Sequence, residues 1–213
     1  TLDRAENYWA ADLPINRGQN NFDHITVEYF RDESVEMEAF KAGQYDFRDE
    51  NSAKRWATEY EFTALQKGDL IKAEVPHKRP TGMQAFVFNT RRPVFQDRRV
   101  RQALSYAWDF EWTRKALFYG QYERTESFFS NSEMASEGLP SEEELALLEP
   151  LRAHIPAEVF TIPFEVPRSN GSGNNRDNLR TAVQILREAG WGIKDGMMTH
   201  ARAGQKLEFE ILL

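Results

Sequence analysis

Glu142, Glu143 and Glu144 set three carboxylates in a row, a density that acid–base catalysis would require. Ser141 stands directly before them, and Ser141 with Glu144 has capping-box spacing. The run is therefore explained by the first turn of a helix, whose dipole favours anions. The four histidines, His24, His77, His154 and His200, lie far apart without an HxxxH or HExxH pair, which argues against a helix-borne metal site. The absence of cysteine excludes a disulfide framework, a thiolate nucleophile and any Cys-ligated zinc or iron–sulfur centre. Arg91-Arg92 and Arg98-Arg99-Val100-Arg101 concentrate positive charge around Pro93, but Asp97, Asp109 and Glu111 balance it on what reads as a solvated helix face. Asn170-Gly171-Ser172-Gly173 precedes a helix and offers backbone amides to an anion; with no strand before it and no lysine, a surface loop is the plainer reading. Asn170-Gly171-Ser172 is also formally a glycosylation sequon. No nucleophile elbow, phosphate loop or dinucleotide fingerprint occurs.

Composition sets the frame for these residues. Of 213 residues 40% are hydrophobic, which predicts a packed core and excludes whole-chain disorder. The net charge is −7, with 27 basic residues scattered among 34 acidic ones, which argues against a nucleic-acid binder. No apolar run approaches the ~18 residues of a membrane helix. The opening residues lack the basic start and apolar run of a signal peptide. The chain opens in a polar, loop-like stretch and ends on Lys206–Leu213, a strand pattern with no following turn, so it reads as a fragment of a larger fold.

Strands are expected at His24–Phe30, Tyr45–Arg48, Leu70–Pro76 and Met83–Asn89, the last apolar on both faces like a central strand. A helix capped by Asp32 or Ser34 should carry Val35, Ala39 and Phe40 and stop at Gly43. Another should open at Ser52 and contain Trp56 and Tyr60, followed by a short one ending at Lys67-Gly68. The clearest helix begins behind Asp97, with Val100, Ala103, Leu104, Ala107 and Trp108 forming one apolar stripe. Asp109 then caps a further helix with Trp112, Ala116 and Leu117 inward and Gly120 as its stop, so the two helices meet in a corner at an aspartate. A long irregular segment, 121–140, precedes the helix that Ser141 caps. The helix bearing Leu179, Val183 and Leu186 ends at Gly190, and Met197–His200 with Lys206–Leu213 should close as a hairpin around Gly204. Such mixing predicts an α/β or α+β layered domain.

Aromatic residues are 13% of the chain, and Tyr8, Trp9, Tyr122, Phe128 and Phe129 belong to no periodic stripe. Loop aromatics either plug a core from outside or line a binding surface.

The segment 85–112 (AFVFNTRRPVFQDRRVRQALSYAWDFEW) resembles the signature of the family 5 extracellular solute-binding proteins of ABC transporters: a strand ending Phe88-Asn89, then Pro93, Asp97, Val100-Arg101, Ala103-Leu104, Ala107 and Asp109. Glu38–Asp46 is similar to that family's helix-Gly-x-x-Asp element, and Leu186–Trp191 with Lys194-Asp195-Gly196 is similar to its later helix and hairpin. Tyr8-Trp9, Asn16-Arg17-Gly18 and Phe128-Phe129-x-Asn131-Ser132-Glu133 resemble the YejA-type branch, associated with oligopeptide and microcin C uptake.

The resemblance implies an α/β lobe of the type II periplasmic binding fold, a mixed sheet with flanking helices, truncated at its C-terminal end. Residues 1–31 would belong to a hinge or first lobe and 32–213 to the central ligand-binding lobe. It implies a periplasmic substrate-binding component that captures extended oligopeptides without chemistry or cofactor and hands them to the ABC permease. The full-length form would be monomeric, while a fragment with an open strand edge would be prone to self-association. On this basis the ligand-binding candidates are Arg79, Gly82 and Gln84 beside the apolar strand, Trp108 and Asp109 at the helix corner, and Phe128, Ser130, Asn131 and Glu133 in the long loop. Glu133 would take a peptide's amino terminus and Arg79 its carboxylate; core packing competes for Trp108 and helix capping for Asp109. A peptide or sugar hydrolase and a stand-alone interaction module are the competing classes, and no motif supplies the paired catalytic groups of the former.

Overall fold

The computed structural model describes residues 1–212, and the chain folds as two compact units. The first comprises residues 1–52 and 59–72, the second residues 53–58 and 73 onward.

In the first unit a two-residue ladder pairs β1 (Leu2–Asp3) antiparallel with β2 (His24–Ile25). Helix α1 (Glu33–Lys41) starts as expected at Asp32, whose carboxylate accepts from the Ser34 and Val35 amides. Its buried face is Met37, Ala39 and Phe40, and Phe40 lies among the rings of Tyr45, Tyr60 and Phe62. Tyr45–Arg48 is not a strand. It crosses this aromatic face, and its Arg48 side chain, 4% exposed, pairs with Glu36 at 2.7 Å and with Glu50, 2% exposed, at 3.3 Å. Tyr60 donates to the same Glu50 carboxylate at 3.1 Å. Burial, then the Glu50 charge and hydrogen bond, push the Tyr60 phenol up to about 12. The short helix α3 (Thr63–Lys67) ends on Gly68 in the left-handed conformation, the standard glycine stop.

The second unit begins with α2 (Ala53–Thr58), which contains Trp56 but ends before Tyr60. Its core lies between α5 (Arg98–Ala107) and α8 (Arg176–Glu188), with Val94 and Phe95 of the one-turn α4 (Pro93–Gln96) and Trp191 closing the ends. Asp97 caps α5 through the Arg99 amide and pairs with the Arg99 guanidinium, while Arg99 also donates to the Glu188 carbonyl at the end of α8. The hydrogen bond from Arg99 holds the Asp97 carboxyl below the usual aspartate range. Asp97→Ala should therefore cost about 1 kcal/mol in chemical denaturation. Because the folded pKa is depressed, the stabilisation is present above the ordinary aspartate range and is lost as pH falls through the lowered value, so wild type and variant should converge in acid.

The α5 stripe is inward at Val100, Ala103 and Leu104, but Ala107 and Trp108 face out. On α8 the apolar face is turned by about one position: Ala182 and Leu186 are buried, Val183 is half-buried, and Leu179 is exposed. In α6 (Phe110–Ala116) Phe110 rather than Trp112 or Leu117 is buried, and the helix ends four residues before Gly120. The capping box of α7 (Glu142–Leu148) is present in both directions.

Strand expectations fare worse. Among the described residues the strands form only two antiparallel ribbons, not a mixed sheet. β2 covers only the start of 24–30, and neither 70–76 nor 83–89 is a strand; Tyr29 and Val87 are about nine-tenths exposed. β-branched and aromatic composition favours a pleated surface only where a neighbour completes the ladder, and no described segment pairs with these three beyond the β1–β2 contact. The hairpin is formed by β3 (Trp191–Lys194) with β4 (Met197–His200), turning at Asp195-Gly196. Lys206 adds one bridge to Thr199, so the pairing expected of 206–213 reduces to that residue, with Leu213 outside the described part. Gly190 is required where α8 turns into β3: its φ is +87°, and a Cβ there would lie 3.2 Å from His200 Nε2. No described helix is long and apolar enough to cross a membrane.

Candidate functional site

The expected site residues fall into two groups, both within the second unit. The first joins two loops. Asn131, in the left-handed region at φ +65°, donates its amide to the carbonyls of His77 (2.7 Å) and Arg79 (3.0 Å). Ser130 accepts at its carbonyl from the Thr81 amide (2.9 Å), and its hydroxyl donates to the Ser127 carbonyl. Loop 127–136 is thus tied to 77–81 through the Asn131 side chain and the Ser130 carbonyl, while the Ser130 hydroxyl bonds within its own loop. Gly82 and Gln84 follow on an exposed strip, and nothing lies within 4 Å of where a Gly82 Cβ would sit. Arg79 and Glu133 are exposed without an ion pair among the described residues, and Phe128 is 83% exposed. This surface offers a ligand open contact but no enclosed polar group.

The second group is the helix corner. Helix α5 ends because Trp108 takes an extended conformation, and Asp109 starts α6 by accepting the Trp112 amide at 3.0 Å. The same Asp109 oxygen accepts from the Ser169 hydroxyl at 2.5 Å, and Glu111 accepts the Ser169 amide at 2.9 Å. The loop carrying Ser169 lies against the start of α6: Gly171, at φ +67°, comes so near that a Cβ there would touch the Glu111 backbone at 3.4 Å. Across from these carboxylates the Arg124 guanidinium rests on Trp108, 4.5 Å from its centroid, and near Phe110 at 5.5 Å. Trp108 packs edge-on against both Phe110 and Phe86.

Three side-chain atoms in this corner are fully enclosed and have no hydrogen-bond partner: Asp109 Oδ2, Glu111 Oε1 and Arg124 Nη1. Orphaned buried polar atoms are uncommon and costly. Burial lowers the Arg124 pKa; Glu111 and Glu126 oppose the shift and Arg168, itself paired with Glu126 at 2.7 Å, adds to it. Arg124 remains a cation throughout the accessible range. Of the three, the Arg124 guanidinium is the one that lies on the Trp108 indole face.

Sequence reading reached Trp108 and Asp109 but missed Glu111, Arg124 and Ser169. Their partners are remote in the chain, 60 residues separating Ser169 from Asp109, so no local spacing marks them. The only available signal was an arginine inside an aromatic-rich loop. Among the described residues no group of three or more His, Asp or Glu side chains is arranged to hold a metal ion.

A 210-residue stretch covering 99% of the chain is 48% identical to a protein named YejA from Escherichia coli. A second alignment covers 100% of the chain at 45% identity to a "probable peptide-binding protein YejA" from Agrobacterium fabrum, and a third covers 99% at 39% identity to a "peptidoglycan-binding protein YepA" of the same organism. In each case the chain spans about a third of the relative's length, 35%. The profile of the bacterial extracellular solute-binding proteins, family 5 middle region, matches residues 1–213. The chain therefore belongs to the family 5 bacterial extracellular solute-binding proteins, on their YejA-like branch.

Proposed function

We propose that this chain forms part of the substrate-binding component of an ABC importer, capturing an extended oligopeptide in the periplasm and releasing it unchanged to the membrane permease. The observation that carries this reading is the trio of side chains Asp109, Glu111 and Arg124, each with an unpartnered polar atom that the chain's own packing encloses, so that the corner must open to admit a ligand. Their complement is a group with donors and an acceptor side by side. The amino terminus of a peptide has that pattern: its ammonium supplies donors to the two carboxylates, and its first carbonyl accepts from Arg124. Asp109 and Glu111 therefore replace Glu133 as the receptor for the amino terminus, and Arg124 is a better-held cation than Arg79. Phe86 and Phe128 add apolar area along the rest of the ligand, and the exposed backbone of 82–87 is available for strand addition.

A name printed for a relative specifies peptide, and another specifies peptidoglycan. A peptide bearing a free amino terminus is chemistry that peptides and peptidoglycan stem fragments share. No cofactor enters the scheme. The hydroxyl at the corner, Ser169, meets a carboxylate, too weak a base to make it a nucleophile, so the reading is binding and not hydrolysis. Incubating the chain with a mixture of short peptides and identifying by mass spectrometry what it retains tests this: intact peptides are expected, and truncated products appearing with time would instead establish a hydrolase.

A further inference from the structure

Negative charge is concentrated in one stretch of this chain. Residues 122–165 hold ten glutamates against only Arg124 and Arg152, with no aspartate or lysine, a surplus of eight in a chain whose total is −7. The remainder is close to neutral. Glu126, Glu149 and Glu158 are paired with Arg168, Arg152 and Arg98, and Glu144 closes the cap of α7. Glu123, Glu133, Glu137, Glu142, Glu143 and Glu165 have no ion pair or side-chain hydrogen bond among the described residues.

The same stretch encloses a cleft of about 340 Å³, floored by Leu139, Leu147, Leu148, Val159, Ile162 and Phe164, with Glu137 and Glu144 also lining it. Leu147, Ile162 and Phe164 are each more than 60% exposed, so the floor is open to solvent. Such a volume is at the small end of the ~300–1,000 Å³ range of ligand pockets and suits one or two side chains, not a whole peptide. An apolar floor inside a field of unpaired carboxylates selects an occupant that brings apolar bulk and positive charge together.

We propose that this cleft is a subsite for a bulky apolar side chain of a peptide ligand whose neighbouring residues are basic. The inference rests on the solute-binding reading and adds a preference to it: cationic, amphipathic peptides bind better than neutral or acidic ones. The long loop connects the two places, since Phe128 to Glu133 run directly into the Ser136–Pro140 wall of the cleft. Affinity gained here is electrostatic at the rim and therefore salt-sensitive, because the Debye length shrinks to about 8 Å at ~0.15 M salt.

The test is an isotope-labelled chain titrated in NMR with a short peptide alternating lysine and leucine, and with glutamate–leucine and lysine–serine counterparts. The lysine–leucine peptide should shift amides of 137–148 and 159–164 and bind roughly tenfold more tightly than either counterpart, with the advantage falling as salt is raised. Glu137→Gln combined with Glu143→Gln should remove most of that advantage, and Leu147→Ser, at an exposed position, should do so without touching charge. Equal binding of the three peptides would overturn the proposal. So would shifts at the cleft and along the basic face of α8 (Arg176, Arg180, Arg187) that appear with protein concentration alone, since the occupant would then be a second copy. Peptides shifting only the helix corner would refute the cleft and leave the solute-binding reading; shifts confined to the cleft would support the subsite and refute the helix corner as the receptor of the amino terminus.

Discussion

Arg48→Ala is expected to lower the stability of the first unit by about 3–5 kcal/mol, the usual consequence of removing one partner from a buried ion pair. Glu50 is 2% exposed and Arg48 4%, so neither can turn to solvent when the other is lost. Glu36, at the end of the same guanidinium, is 36% exposed and can rehydrate, so the loss is concentrated at Glu50. Tyr60 and the Ser52 amide still donate to Glu50, which softens the effect. Thermal unfolding followed by near-ultraviolet circular dichroism reads this out directly, because Phe40, Tyr45, Tyr60 and Phe62 surround the network. A variant as stable as wild type would show that the network contributes packing alone. Arg48→Met, which keeps the stem, should recover little, since it restores neither the Glu36 nor the Glu50 ion pair.

Arg124→Lys is the second large effect, and it falls on binding. The substitution keeps a positive charge opposite Glu111 while removing the flat fork that lies on Trp108. Arg124 makes no hydrogen bond among the described residues, so little folding energy is tied to its donors, and stability should change by less than about 1 kcal/mol. Affinity for peptides should fall about tenfold or more, the cost of a lost charge-assisted hydrogen bond. A structural arginine would give the opposite pattern: reduced stability, unchanged affinity.

Local grammar was readable where a single residue type performs a local task. Asp32, Asp97, Asp109 and Ser141 each cap the helix that follows them, and glycines sit at the stops after α1, α3 and α8. Helix faces were legible to within about one position, as the shift of the buried α8 residue from Val183 to Ala182 shows. Strands were not, because 83–89 announces β propensity without saying what it pairs with, and pairing is a long-range property. The nearest consequence of its apolar character is Phe88 against Phe95, which in turn meets Phe209.

For the binding groups the same division holds. Trp108 and Asp109 stand out because a helix must end and restart there. Glu111 reads in the sequence only as a counter-charge to the neighbouring arginines, and nothing local singles out Ser169, or Arg124 beyond its aromatic-rich loop. Glu111 and Ser169 acquire meaning only when residues 58 and 60 apart in sequence meet, and Arg124 only when its loop folds back onto Trp108. Asn131 and Ser130 also hold two loops together, a role that depends on a partner more than 45 residues away.

Calorimetric titration of the chain with one short peptide in free and amino-acetylated forms tests the central claim most directly. If the helix corner receives an amino terminus, acetylation removes the ammonium donors and leaves Asp109 and Glu111 buried without partners, and affinity should fall roughly ten- to a hundredfold. Equal affinity for the two forms would contradict the assignment of this corner as the solute site.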